Sequence, residues 1–501
     1  MLRLLPGLLP ALLPVLPAVF LTSFLPKAEA VAQPTSQPTS QPALSSTLSP
    51  TVWRPQQVRP LPGGLDRLLV VNDNNPELII QPGILLSTFN GTGRLAGEAF
   101  QVPTAHLNLP LQGHFELFSH HVYAGRPEQL DSTLWLGVVA APAGDRPVRL
   151  RLISGSTALS QSTDPSQPGA PFLPLPAVVA HDGSTAFSGP GSRVAAELLL
   201  NRRSPLFPSE WRLAADQLTT LVALPIPVKG LDPLLNGRNL QLRLESDGPV
   251  QIATLAAFGS DQPPDARTWA SLLRGGLSPR EHSPTPRGQK GGIIYSRVSG
   301  VQQGSRWRGQ LIDPCPLQPC RAQLSVQSAP VSWPISSLER GSLGTGQVQT
   351  AELAAFYPGT AWAAHGNYGV EYDLGIPLIN DTDRPVALDL AIESPRKSDQ
   401  PKGGLSFNRE PARPVMFRGT VEVSGLDGEA GRPSGRRWFH LVQRQGQQGP
   451  ALGRISLAPG QRRQVRVRLI YPADATPPQV LSLLPAASVV KQSESVPAPR
   501  P

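Results

Sequence analysis

Apolar and polar residues alternate along much of this chain with a period of two, in short runs broken by turn formers. From Ala105 the positions Leu107, Leu109, Leu111, Phe115 and Leu117 fall at every second residue with one break at Gly113, and Leu240, Leu242 and Leu244 do the same. That period puts successive side chains on opposite faces of a strand and gives one face to the core. Apolar runs of strand length occur at Leu68–Val71, Leu78–Leu86 and Val250–Phe258. Between the first two, Asn72-Asp73-Asn74-Asn75-Pro76 predicts a turn. Helical signals are scarce. Asp265 is placed to cap a short helix through Leu273 that ends at Gly275-Gly276, and Ser192 to cap another through Leu200.

One alternating stretch is written twice. Leu136-Gly137, Asp145-Arg146-Pro147-Val148, Leu150 and Leu152 recur as Leu374-Gly375, Asp383-Arg384-Pro385-Val386, Leu388 and Leu390, at a constant offset and without a gap. Each copy reads as a strand, a polar turn and a Pro-initiated strand. Leu213-Ala214 with Gln217 and Leu221 recurs as Leu457-Ala458 with Gln461 and Val465, at nearly the same offset. The fold class expected is all-β: two related immunoglobulin-like β-sandwich modules with a Pro/Gly-rich connector and little helix. The 58 Pro and 46 Gly and the 16% of charged residues agree with turn-rich sheet structure.

The ends of the chain read differently. Arg3, the apolar Leu4–Leu25 and Ala28-Glu29-Ala30 have the order of an export signal cleaved after Ala30, and Pro6, Pro10, Pro14 and Pro17 make the stretch a poor membrane span. Gln33-Pro34-Thr35-Ser36 then repeats as Gln37-Pro38-Thr39-Ser40, an extended spacer. The expected organisation is a signal peptide at 1–30, a linker at 31–51, a first module at 52–260, a connector at 261–340, a second module at 341–485 and a disordered tail at 486–501. The connector carries Cys315 and Cys320, a pair expected to close a small disulfide loop outside the reducing cytosol. The protein is therefore expected in the periplasm, cell envelope or extracellular space, with no transmembrane segment in the mature chain.

Charge adds one point. The 45 basic residues against 36 acidic ones leave a formal charge of +9, nearly all of the basic set being Arg, with the densest cluster at Arg462, Arg463, Arg466 and Arg468. Guanidinium suits acidic polymers and anionic envelope surfaces, whereas no motif points to nucleic acid.

Four of the eight histidines fall close together: His106, His114, His120 and His121. On a strand, His114, Glu116, Phe118 and His120 share one face, so His114 and Glu116 have a chelating spacing but lack a third ligand. Structural hydrogen bonding at a strand edge is the favoured reading. His106, His120, His121 and His365 form the candidate polar cluster for binding or structure. No nucleophile elbow, zinc helix or phosphate loop is present, so no catalytic residue, metal ligand or cofactor is assigned.

Several phrases, taken together, resemble a family: Pro60-Leu61-Pro62-Gly63-Gly64-Leu65-Asp66, Asn74-Asn75-Pro76-Glu77-Leu78, Gly83-Ile84-Leu85-Leu86-Ser87-Thr88-Phe89, Ala105-His106-Leu107-Asn108, Phe118 to Val122, Ala364-His365-Gly366-Asn367-Tyr368-Gly369 and Leu441-Val442-Gln443-Arg444. They are similar to a cyanobacterial exported family known only as domain of unknown function thirty-three-seventy. His120 and His121 fit its pattern, while His114 stands where the family often has Arg. The resemblance implies export and brings no activity. The function expected is that of a structural or binding protein for envelope polysaccharide, peptidoglycan or another envelope protein. The alternative is a carbohydrate-active or metal-dependent hydrolase centred on His106–His121.

Overall fold

Two apolar runs that the sequence pattern separates, around Leu242 and around Ile252, belong to one strand of 24 residues, Asn236–Gly259. Its first part pairs with Val148–Leu159 and Leu111–Tyr123, and its second with Thr133–Pro142 and Gly83–Ser87. The pairing with Leu111–Tyr123 slips between Ser246 and Val250, and beyond this irregularity the strand takes Thr133–Pro142 and Gly83–Ser87 as neighbours. In this computed structural model the described residues are 50–486, except 127, 131, 182–186, 260, 286–293, 295, 315–321, 361–365, 401–402 and 430–431. The expected export signal, most of the spacer, the tail after 486, the pair Cys315 and Cys320, and His365 lie outside the described residues.

The chain is mostly β, with two α-helices among the described residues, several sheets and no closed barrel. The largest sheet runs in the order Glu210–Leu213, Val148–Leu159, Asn236–Gly259, Leu111–Tyr123, Leu69–Leu78, Val298–Gln303 and Glu352–Phe356. A second sheet has the order Ala451–Leu457, Val386–Glu393, Gln479–Pro485, Val331–Ile335 and Gln57–Val58. Five neighbours in the first match five in the second. In each, the first three pairings are antiparallel and the fourth is parallel. Registers agree too: Val148 faces Leu213 as Val386 faces Leu457, Leu152 faces Leu244 as Leu390 faces Leu483, and Leu244 faces Phe115 as Leu483 faces Val331. Packed on the second sheet is a third, ordered Val178–His181, Arg437–Arg444, Val415–Ser424, Arg462–Ile470, Glu371–Ile379, Arg306–Gln310 and Gly64–Leu65.

Two large cores result. One collects residues between Val71 and Val301, including Leu117, Leu136, Leu150 and Leu242, and the other joins Leu61 to residues between Trp307 and Leu483, including Leu374 and Leu388. Leu136, Leu150, Leu374 and Leu388 are all strand residues at most 2% exposed, each contributing roughly 2 kcal/mol by burial.

The two helices have different tasks. α2, Ala266–Arg274, is capped as the sequence predicts, with Asp265 Oδ1 accepting from Thr268 N at 2.8 Å. Its Trp269 lies on Gly137, where a Cβ would come within 2.7 Å of the indole. The other helix, α1, spans Pro190–Leu199 and starts earlier than the Ser192 cap expected from sequence. Gly189 at φ 94° and Pro190 open it, and the Ser192 hydroxyl instead donates back to Ser188 O. Val194, Ala195, Leu198 and Leu199 pack with Ala158 of the first sheet and Ile470 of the third, so α1 sits between the two halves.

The expected turn at Asn72–Pro76 is also corrected. These residues lie in the strand Leu69–Leu78, because their side chains find partners inside the protein: Asn72 donates to Gln302, and Asp73 accepts from Thr254. Buried tertiary hydrogen bonds outweigh the local turn preference. No helix among the described residues is long and apolar enough to cross a membrane.

Candidate functional site

Of the histidines in the predicted cluster, His120 and His121 lie on opposite faces of the strand Leu111–Tyr123, and His106 precedes it. His121 points into the interior of the first half, where its Nε2 is 2.8 Å from Asp73 Oδ2, and Thr254 Oγ1 donates to the same oxygen at 2.7 Å. Asp73, His121 and Thr254 are fully buried. His106 follows a short 3₁₀ turn and pairs through Nδ1 with Ser87 Oγ at 2.7 Å, its ring 4.2 Å from that of Phe100. Ser87 N in turn donates to the Tyr357 hydroxyl, which donates to Ala105 O. Burial pushes His106 down to about 4, and burial together with the His121 ring pushes His120 down to about 4, so both rings are neutral near pH 7.

This polar layer is closed. Ser87, Asp73, His121 and Thr254 have no exposed surface, which leaves their hydrogen bonds a structural task and gives a substrate no approach to them. Arg238 sits in the same interior, opposite His121 in register; its guanidinium donates to Pro225 O, Thr157 Oγ1 and Gln167 Oε1, and burial pushes it down to about 9.

His120 lies on the outer face with His114, Glu116 and Phe118, as the alternation predicts. His114 and Glu116 do not chelate together. His114 is exposed and its Nε2 lies 3.5 Å from Glu245, whereas Glu116 is buried against Arg243 and Gln241. Among the described residues, the one group that brings three metal-ligating atoms within 4.8 Å of one another is Glu77, Glu281 and His282, in which Glu77 lies on the strand beside that of His120 and His121.

Glu116 belongs to a charge network that sequence reading missed. Arg243 bridges Glu116 Oε1 at 3.1 Å and Glu371 Oε2 at 2.9 Å; Arg306 reaches the same Glu371 oxygen at 2.8 Å. Arg468 links Glu371 Oε1 at 2.8 Å to Glu422 Oε1 at 3.0 Å. Gln241 donates to Glu116 and to Gly369 O. Three carboxylates and three guanidiniums thus neutralise each other where the two halves meet. Burial pushes the Glu371 carboxyl up, but Arg243, Arg306 and Arg468 outweigh it and hold it at about 2. The chance of finding this set in the sequence was small, since its members stand on six strands and each looks like an ordinary polar strand position.

A second junction contact joins Asp474 to α1. Its Oδ2 accepts from Ser192 N at 2.7 Å, and the carboxyl is pushed up to about 7 by burial against the opposing pull of Ser192 N, Arg418 and Gly191 N. Among the described residues, open depressions include one of about 380 Å³ beside Asp66, Arg67 and His114 and one of about 500 Å³ beside Gln161, Asp164 and Gln167.

The model of one protein family matches residues 56–485, nearly all of the described chain. That family is a protein of unknown function, DUF3370. The chain belongs to the DUF3370 family. The match spans both halves of the DUF3370 chain, the charge junction and the polar layer included. No curated protein matches it.

Proposed function

We propose that this DUF3370 protein is an exported, non-enzymatic protein of a cyanobacterial cell envelope or extracellular layer, made of two related immunoglobulin-like sandwiches and binding a polymer or protein partner through its surface. The observation that carries this reading is the closed polar layer. Two of the histidines that were candidates for chemistry, His106 and His121, spend ring nitrogens on hydrogen bonds to Ser87 and Asp73 in the buried interior, which leaves the outside of a rigid scaffold for function. Duplication is supported by the five strands that share order, direction and register in both halves. On this reading residues 52–260 and 341–485 build most of each sandwich, and 261–340 supplies strands to both.

Retention of the purified protein on peptidoglycan, exopolysaccharide or isolated envelope fractions tests the proposal. Binding to at least one fraction that resists washing is expected, and passage through all of them unretained would remove it.

A further inference from the structure

The outer face of the third sheet is covered at one end and open at the other. Glu371, Arg306, Arg468 and Glu422 occupy the covered end, at the charge junction. Beyond them the same face continues with Arg308 and Gln310, then Asp373, Gly375 and Pro377, then Arg462, Gln464 and Arg466. Their neighbours Trp307, Leu374, Ile376, Val465 and Val467 point into the core, so alternation fixes these polar side chains outward. Arg308, Gln310, Arg462, Gln464 and Arg466 are exposed.

We infer that this open face binds a carboxylate-bearing polysaccharide. Of the four arginines that cluster in the sequence, Arg463 is buried with Asp427 and Arg468 belongs to the junction, which leaves Arg462 and Arg466 outward. The strand pairing adds Arg308 from a distant part of the chain. Three guanidiniums thus share the face with one acidic side chain outside the junction, Asp373, which pairs with Arg466 at 2.7 Å. The surplus is positive, and guanidinium is suited to carboxylate.

The floor has a matching shape. Arg462, Gln464 and Arg466 form a column with a spacing of about 7 Å, and Arg308 and Gln310 form another two strands away, about 10 Å across. Between them lie Asp373, in register with Arg308, and Gly375, in register with Gln310 and Arg466, and Pro377 follows beside Gln464. Gly375 has no side chain, and the Gln310 amide lies over it, where a Cβ would meet its Oε1. The result is an exposed face bearing cations and amides, along which one extended sugar chain can lie with its carboxylates at the arginines and its hydroxyls at Gln310 and Gln464.

This inference rests on the polymer-binding reading above and names its ligand class and place. Affinity electrophoresis of the purified protein in gels containing polygalacturonate or neutral dextran tests it. Retardation by polygalacturonate and none by dextran is expected, with R308A/R462A/R466A weakening it about tenfold or more. R149A/R151A/R212A, which removes equal charge from exposed strands of the first sandwich, is expected to change it less than about twofold. Equal loss in the two triple variants, equal retardation by duplex DNA or polyglutamate, or no retardation of the wild type would overturn the inference. If the R308A/R462A/R466A protein still binds envelope or exopolysaccharide fractions as the wild type does, this face is wrong and the broader reading stands; if the wild type binds no fraction, both fall.

Discussion

The two halves of the DUF3370 chain place five strands side by side in the same order and register, then fill and cover them differently. Counting from the matched pairs Phe115/Leu244 and Val331/Leu483, Ser119 of the first half corresponds to Ile335 of the second, and the first half goes on to enclose His121, Asp73 and Arg238. The second half keeps its core largely apolar and carries its charges on the outer face, as Glu371, Arg306 and Arg468. A repeated glycine makes the same point. Gly137 admits the Trp269 ring of α2, while its counterpart Gly375 lies under one exposed glutamine. Register is thus set by the pattern the halves share, whereas burial and cover are set by the residues they do not share.

The largest expected effect breaks the comparison at the junction. Glu371→Ala takes a carboxylate partner from each of three guanidiniums, of which Arg243 and Arg468 keep a second one, and is expected to cost about 3–5 kcal/mol, read as a shift in the denaturant midpoint. An unchanged midpoint would show that the halves do not depend on this network. Inside the first half, Asp73→Ala leaves His121 and Thr254 buried without their acceptor, with an expected loss of about 2–4 kcal/mol. Gly137→Ala pushes a methyl into Trp269 and is expected to cost about 1–3 kcal/mol. Gly375→Ala, at the matching position, moves only Gln310 and should stay within about 0.5 kcal/mol in a thermal melt. Equal costs for the two glycines would contradict the difference in cover.

Acid sharpens the contrast between the two junction carboxyls. Glu371, held at about 2, favours the folded state when charged, so its contribution is complete above its ordinary value of 4.5 and is lost as pH falls toward 2. Asp474, pushed up to about 7, works in the opposite sense: its contribution is present below its ordinary 3.8 and is lost as pH rises to about 7. Asp474→Asn is therefore expected to flatten the fall in melting temperature between pH 4 and pH 7. A wild-type profile already flat over that range would refute the assignment.

Much of the framework was legible in the sequence because it depends on alternation alone. Leu150 and Leu388 are strand residues with buried side chains, and Asp265 caps α2 by a local rule that needs no tertiary partner. Asn72 and Asp73 misled because their partners, Gln302, His121 and Thr254, are far away in the chain and convert a turn-forming sequence into buried strand. For the histidines the pattern placed His120 and His121 on opposite faces of a strand, yet it did not show that His121 is enclosed with Asp73 and Thr254. The charge network was invisible for the opposite reason. Glu116, Arg243, Glu371 and Arg468 each obey the polar half of an alternating strand, and only the meeting of two sheets reveals that this half is buried.

The short strand Gln57–Val58 completes a sheet whose other members begin at Val331, and Thr51–Pro55 pairs with Gly404–Asn408. In a chain made from its amino end, these early residues have no partner until most of the protein has been synthesised. Closing loops of that length is slow, so a segment that emerges early is among the last to settle, and the second half stays unfinished at its edge until then.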